Sequence, residues 1–157
     1  IKALKQVLFG EKLSYEFKNI EENKLGKTKG QLVGGNLTLI HCLIGSKSSI
    51  NTDNKILFIE DLGEYLYHID RMLVSLKRAG YFDKCKGLIV GDFSDLRKNT
   101  TPFGKNLKQI ILDAVKDFDF PVLFEFPAGH EKLNMPLILG REIIMDIKNS
   151  TSSIEFL

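Results

Sequence analysis

The run Ile56-Leu57-Phe58-Ile59 is the stretch that most constrains the fold of this chain. Four consecutive apolar residues, short, rich in β-formers and bounded by polar ones, suit a strand covered on both faces better than a half-exposed one. The run ends in the carboxylates Glu60, Asp61 and Glu64 around Gly63. A buried strand that delivers carboxylates at its carboxyl end puts ionisable groups on the sheet edge where α/β proteins keep their ligands.

The flanking segments supply the other elements. Leu13 to Lys18 alternates as a half-buried strand does, and Thr28 to Val33 reads as a second strand ending at Gly34-Gly35, a pair that permits a turn or a close backbone approach. Asn36 caps a helical run Leu37–Ile44 that stops at Gly45. After Gly63 the period changes: Leu66, Ile69, Leu73 and Leu76 fall on one stripe, predicting a helix from Glu64 to Ala79, with Arg71, Lys77 and Arg78 turned toward solvent. Gly87 to Phe93 is a further buried-type strand ending in Asp92, Phe103 to Phe118 is helical, and Pro121 to Phe126 is a third central strand. Leu137–Leu139, Glu142–Ile147 and Ser153–Leu157 close the chain as short strands. The expected class is α/β, with three strand-helix alternations in the middle and antiparallel additions at both ends.

At 157 residues the chain makes one domain with a real core. Its net charge of +2 is spread along the sequence, and no basic and aromatic motif of a nucleic-acid reader appears. Nothing approaches the roughly 18 apolar residues of a membrane span. Cys42 and Cys85 lack metal-ligand spacing and are expected free, as in a reducing compartment, with Cys42 packed in the core and Cys85 in a charged turn. The chain opens without methionine inside an amphipathic pattern, Ile1, Leu4 and Leu8, so it reads as the carboxyl-terminal part of something longer.

Glu60 and His130 form the candidate site. Each comes at or after the carboxyl end of a buried-type strand, so in one parallel sheet both project from the same edge. A carboxylate there accepts the Nδ1 proton of the imidazole and leaves Nε2 free as a general base. Plainer roles fit the same residues: carboxylates after a strand cap the next helix, and a histidine in a Pro and Gly loop is often a surface residue. No nucleophile emerges, because Gly45-Ser-Lys-Ser-Ser49 lacks the second glycine of an elbow and follows a helix. His68, four residues after Glu64, has no third partner to suggest a metal. Gly34-Gly35-Asn36 fits either an anion site at a helix start or a tight turn with its cap.

Gly30-Gln-Leu-Val-Gly-Gly-Asn-Leu37, Phe58-Ile-Glu-Asp61 followed by Tyr67-His-Ile-Asp-Arg-Met-Leu73, and Pro127-Ala-Gly-His130 occur in this order. Together they resemble the carboxyl-terminal domain of the LD-carboxypeptidase family of serine peptidases, which also contains the microcin C self-immunity hydrolases. The resemblance covers nearly the whole chain, residues 1–157 as a single domain whose amino-terminal nucleophile partner is absent. It implies a swivelling β/β/α-type domain with a mixed, somewhat barrel-like sheet and three main helices. By motif, Glu60 and His130 are the glutamate and histidine of a Ser-Glu-His triad, and Asp61 and Glu64 are left for loop fixing and helix capping. The resemblance further implies removal of terminal D-alanine from muropeptide stem peptides in cytoplasmic murein recycling, no metal or organic cofactor, and a homodimer when full length. Two alternatives stand beside it: an immunity-type hydrolase of an aminoacyl nucleotide conjugate, disfavoured by the lack of tryptophan, and a non-catalytic binding module.

Overall fold

The computed structural model describes residues 2–98 and 100–157. Among these, the elements in chain order are α1 (Lys2–Leu8), β1 (Ser14–Lys18), β2 (Gly26–Asn36), α2 (Leu37–Cys42), β3 (Lys55–Leu62), α3 (Leu66–Arg78), β4 (Gly87–Ser94), α4 (Leu107–Val115), β5 (Val122–Leu123), β6 (Glu142–Ile147) and β7 (Thr151–Phe156). The strands form one mixed sheet in the order β1-β7-β6-β2-β3-β4-β5. Strands β2 to β5 run parallel, while β6, β7 and β1 extend the sheet antiparallel from β2.

Strand β3 lies inside this sheet, between β2 and β4, and its apolar run is split between two cores. Leu57 and Ile59 face α2, α3 and α4 in one cluster, whereas Ile56 and Phe58 join the cluster on the opposite face. None of the four is more than 6% exposed. Burying each such side chain contributes about 1.5–3 kcal/mol, so a polar substitution in the run would disturb the core on the face that residue occupies.

The sheet is open, yet it curls. Lys24, in the β1–β2 connector, exchanges backbone hydrogen bonds with Val122 of β5 at 3.0 and 3.1 Å. Tyr15 of β1 meets Phe126, just past β5, edge-on at 5.5 Å between ring centroids. Opposite edges of the sheet thus approach through one bridge and a set of aromatic contacts, which produces the somewhat barrel-like shape without closure.

Helix boundaries follow local chemistry. Asn36 accepts from Leu39 N at 3.1 Å to start α2, and Asn106 with Gln109 forms a reciprocal capping box on α4. Helix α3 buries Ile69, Met72, Leu73 and Leu76. Arg71 and Arg78 are exposed, and Lys77 reaches Asp117 at 2.6 Å. None of the described helices is long and apolar enough to cross a membrane.

Several segments depart from the sequence reading. The Gly34-Gly35 pair stays inside β2 instead of ending it. A Cβ on Gly34 would lie 1.9 Å from the Phe58 carbonyl oxygen, so the glycine serves a close approach of β2 to β3 rather than a turn. Strand β5 is only two residues long, because Glu125 adopts φ 59° and ends the extended geometry. No strand forms at Leu137–Leu139, where Ile138 and Leu137 instead pack against the second core. In α1, Ala3 and Val7 make the packing contacts, while Leu4 and Leu8 are 51% and 72% exposed; Ile1 lies outside the described residues. The cysteines are free but exchanged in environment. Short α2 turns Leu37 and Ile40 inward and leaves Cys42 exposed, whereas Cys85 is buried and its thiol is pushed up by that burial.

Candidate functional site

Glu60 lies opposite a bulge in β4. Its neighbours Ile59 and Asp61 pair with Val90 and Phe93 of β4, so one residue of β3 opposes two of β4 at this point. Such bulges re-aim a side chain at a sheet edge. On the other side Glu60 lies opposite Asn36 of β2. The residue is 7% exposed, and its Oε2 lies 2.8 Å from Nδ1 of His130, whose side chain is 44% exposed. With a carboxylate oxygen as acceptor, Nδ1 carries the hydrogen and Nε2 is left to act on a ligand. Hence the two residues named from the sequence do meet, a buried acid behind a half-exposed imidazole.

The loop bearing His130 is fastened at several points. Asp92 N donates to Ala128 O at 2.9 Å, Met135 N to Pro127 O at 2.7 Å, and Asn134 Nδ2 to Gly129 O at 3.0 Å. Gly129 has φ 153°, and a Cβ there would come 2.8 Å from Cβ of Asp92, so the loop can lie against β4 only with glycine at this position. At the far end Tyr15 Oη donates to Pro136 O at 2.8 Å, and burial pushes that phenol up to about 12. Each fastening limits the freedom of the imidazole, which favours a preorganised base over a mobile surface histidine.

Asp61 and Glu64 take separate parts. Asp61, 2% exposed, accepts from Asn36 Nδ2 (2.9 Å), Thr38 N (3.0 Å), Thr38 Oγ1 (2.8 Å) and its neighbour Leu62 N (2.9 Å). It therefore ties β3 to the start of α2, and the negative group at that helix start is the protein's own. Glu64 does not cap α3, whose first turn begins at Tyr65 without a side-chain cap. It pairs instead with His68 Nδ1 at 2.8 Å. Among the described residues no group of three or more His, Cys, Asp or Glu is placed to hold a metal ion.

Two features were not singled out from the sequence. Thr38 is the hub between Asp61 and α2, and its only signal was its place two residues after the cap. Asp92 was noted as a strand-end carboxylate, but not its environment: Oδ2 is buried without a hydrogen-bond partner, and burial, then the charge of Glu131, holds its carboxyl above the usual range. Among the described residues no serine, threonine or cysteine hydrogen-bonds to His130.

Comparison with known proteins gives a consistent set of relatives. Residues 29–145 match the family described as LD-carboxypeptidase C-terminal domain. A probable murein peptide carboxypeptidase of Bacillus subtilis is 35% identical over 130 residues, 83% of this chain and 41% of that protein. The microcin C7 self-immunity protein MccF of Escherichia coli is 30% identical over 135 residues, 82% of this chain and 37% of that protein. The crystal structure of muramoyltetrapeptide carboxypeptidase from Oxalobacter formigenes superposes with a TM-score of 0.89 at 24% identity, covering 99% of this chain and 53% of the other. The chain thus spans about two fifths of those two relatives and about half of the solved structure.

Proposed function

Because the chain belongs to the LD-carboxypeptidase C-terminal domain family, we propose that it supplies the glutamate and histidine of a Ser-Glu-His triad whose serine lies on an amino-terminal domain of the same protein. The observation that carries this reading is the 2.8 Å contact between the buried Glu60 and His130 at the carboxyl edge of the parallel strands. Glu60 holds the Nδ1 hydrogen and stabilises the imidazolium. Nε2 takes the proton of the serine hydroxyl as its oxygen attacks the scissile carbonyl, then returns it to the leaving amine; water repeats the sequence on the acyl-enzyme. Backbone amides of the nucleophile domain would hold the oxyanion.

The substrate in this reading is a muropeptide stem tetrapeptide, from which terminal D-alanine is released. Relatives named for murein peptides support it, and murein recycling would place the protein in the cytoplasm, as a homodimer when full length. The test is release of D-alanine from a muropeptide tetrapeptide by the full-length protein, with an aminoacyl nucleotide conjugate assayed in parallel. D-alanine release that disappears in His130→Ala supports the reading. Turnover of the nucleotide conjugate alone would move the protein to the immunity branch, and turnover of neither would leave a binding module.

A further inference from the structure

Past the bulge at Glu60, β3 and β4 approach once more. Tyr65 and Arg97 form an isolated parallel bridge, with Arg97 N donating to Glu64 O at 3.0 Å. There the rings of Tyr65 and Tyr67 stack, centroids 5.2 Å apart at 27°. The Arg97 guanidinium covers Tyr65 at 5.6 Å and that of Arg71 covers Tyr67 at 4.9 Å. The tyrosines line a cleft of about 500 Å³ with Lys98, Pro102 and Phe103.

The cations in and around this cleft are not neutralised. Lys98 lines the cleft, Arg97 lines the adjoining one that shares Lys98, Pro102 and Phe103, and Arg71 lies on Tyr67. None of the three has a carboxylate within ion-pairing distance among the described residues, and Glu64 is engaged by His68. Two guanidiniums held on aromatic rings keep their N–H forks oriented, which suits a planar anion such as a carboxylate or a phosphate. The ring edges with Pro102 and Phe103 offer an apolar wall to a cyclic group. Nothing in the triad chemistry uses these side chains.

We propose that this cleft is a subsite for a ring-bearing, anionic part of the substrate, remote from the bond that is cut. The proposal deepens the carboxypeptidase reading and rests on it for the identity of the substrate. Tyr65 is five residues from Glu60, so it lies within about 17 Å of it by chain reach. A tetrapeptide cut before its last residue, held extended, places its amino end about 10 Å from the scissile bond. A ring-bearing anionic group carried at that end therefore falls within the range of the cleft. A nucleoside ring with its phosphate has the same chemistry, and the experiment separates the two sources.

Calorimetric titration of the full-length protein with muramyl dipeptide, with L-alanyl-D-glutamate and with adenosine monophosphate tests it. Muramyl dipeptide is expected to bind about tenfold more tightly than the sugar-free dipeptide, and Arg97→Glu or Tyr65→Leu to weaken it about tenfold. The same variants should erase the preference in kcat/KM for a sugar-bearing over a sugar-free tetrapeptide, whereas Arg78→Glu, at the far end of α3, should not. Arg97 is exposed, so its variant tests the cleft even if Tyr65→Leu fails to fold. Binding of the nucleotide alone, lost in Arg97→Glu, keeps the subsite and assigns a nucleoside. Binding of neither probe, or binding indifferent to both variants, overturns the proposal. Release of D-alanine from the sugar-free tetrapeptide reports on the triad by itself. A protein that cleaves both tetrapeptides equally keeps the carboxypeptidase reading and loses the subsite, and one that binds muramyl dipeptide without releasing D-alanine does the reverse.

Discussion

Nδ1 of His130 lies 2.8 Å from Oε2 of Glu60, although seventy positions separate them in the chain. Glu60 arrives on a buried strand opposite a bulge in β4 and His130 on a loop fastened to β4 and β1, so two rigid elements converge on one hydrogen bond. In the full-length protein His130→Ala should lower kcat by a factor of roughly 10³ or more. Glu60→Gln should lower it by a similar order, since an amide oxygen neither stabilises the imidazolium nor fixes one tautomer. Steady-state release of D-alanine, with circular dichroism to confirm an unchanged fold, measures both. Equal turnover in the variants and the parent would take these residues out of the triad.

Asp61, adjacent in sequence, should behave differently. It accepts four hydrogen bonds and leaves Asn36 and Thr38 donors unpaired when removed. Asp61→Ala is expected to cost about 3 kcal/mol in urea unfolding. Asp61→Asn, which keeps one carbonyl oxygen, should cost less. Stability unchanged in the alanine variant would mean that the tie between β3 and α2 carries no weight.

These two neighbours illustrate what the sequence could and could not convey. The stripe of α3 was legible because its period fits only a helix, and the buried run Ile56–Ile59 because it is short, rich in β-formers and bounded by polar residues. Glu60 and Asp61 were not separable by residue type; motif resemblance assigned Glu60, and only the bulge and the β2 register reveal why their side chains diverge. Glu125 ended β5 through a positive φ that residue identity does not announce. The Tyr65–Tyr67 cleft was hidden for a related reason. It depends on a bridge to Arg97, thirty-two positions along the chain, and long-range contacts leave no local pattern.

Gly34 offers a test of the sheet itself. A Cβ at this position would sit 1.9 Å from the Phe58 carbonyl oxygen, and φ is 135°, so alanine meets both a clash and a strained backbone. Relief requires β2 to move away from β3, which would also shift Asn36 from its place opposite Glu60. Gly34→Ala should therefore destabilise the protein by about 3 kcal/mol or more and lower activity together with it. Thermal unfolding and D-alanine release measured on the same sample check this. A stable variant with normal turnover would show that the close approach is dispensable.

The environment of Asp92 predicts a pH dependence with a definite sign. Burial, then the charge of Glu131, raises its carboxyl pKa in the folded chain, and its Oδ2 has no hydrogen-bond partner. Between the unfolded value of about 3.9 and the higher folded one, the folded state binds more protons than the unfolded state. Stability contributed at this site therefore falls as pH rises through that window, and the deficit persists above it. Asp92→Asn removes the charge while keeping the shape, so the variant should melt at a higher temperature than the parent at neutral pH. The difference should shrink as pH falls through the window and vanish below the unfolded pKa. Melting temperatures of the pair across the acid and neutral range measure it. A gap of opposite sign, or one independent of pH, would mean that the carboxylate finds a compensating donor beneath the His130 loop.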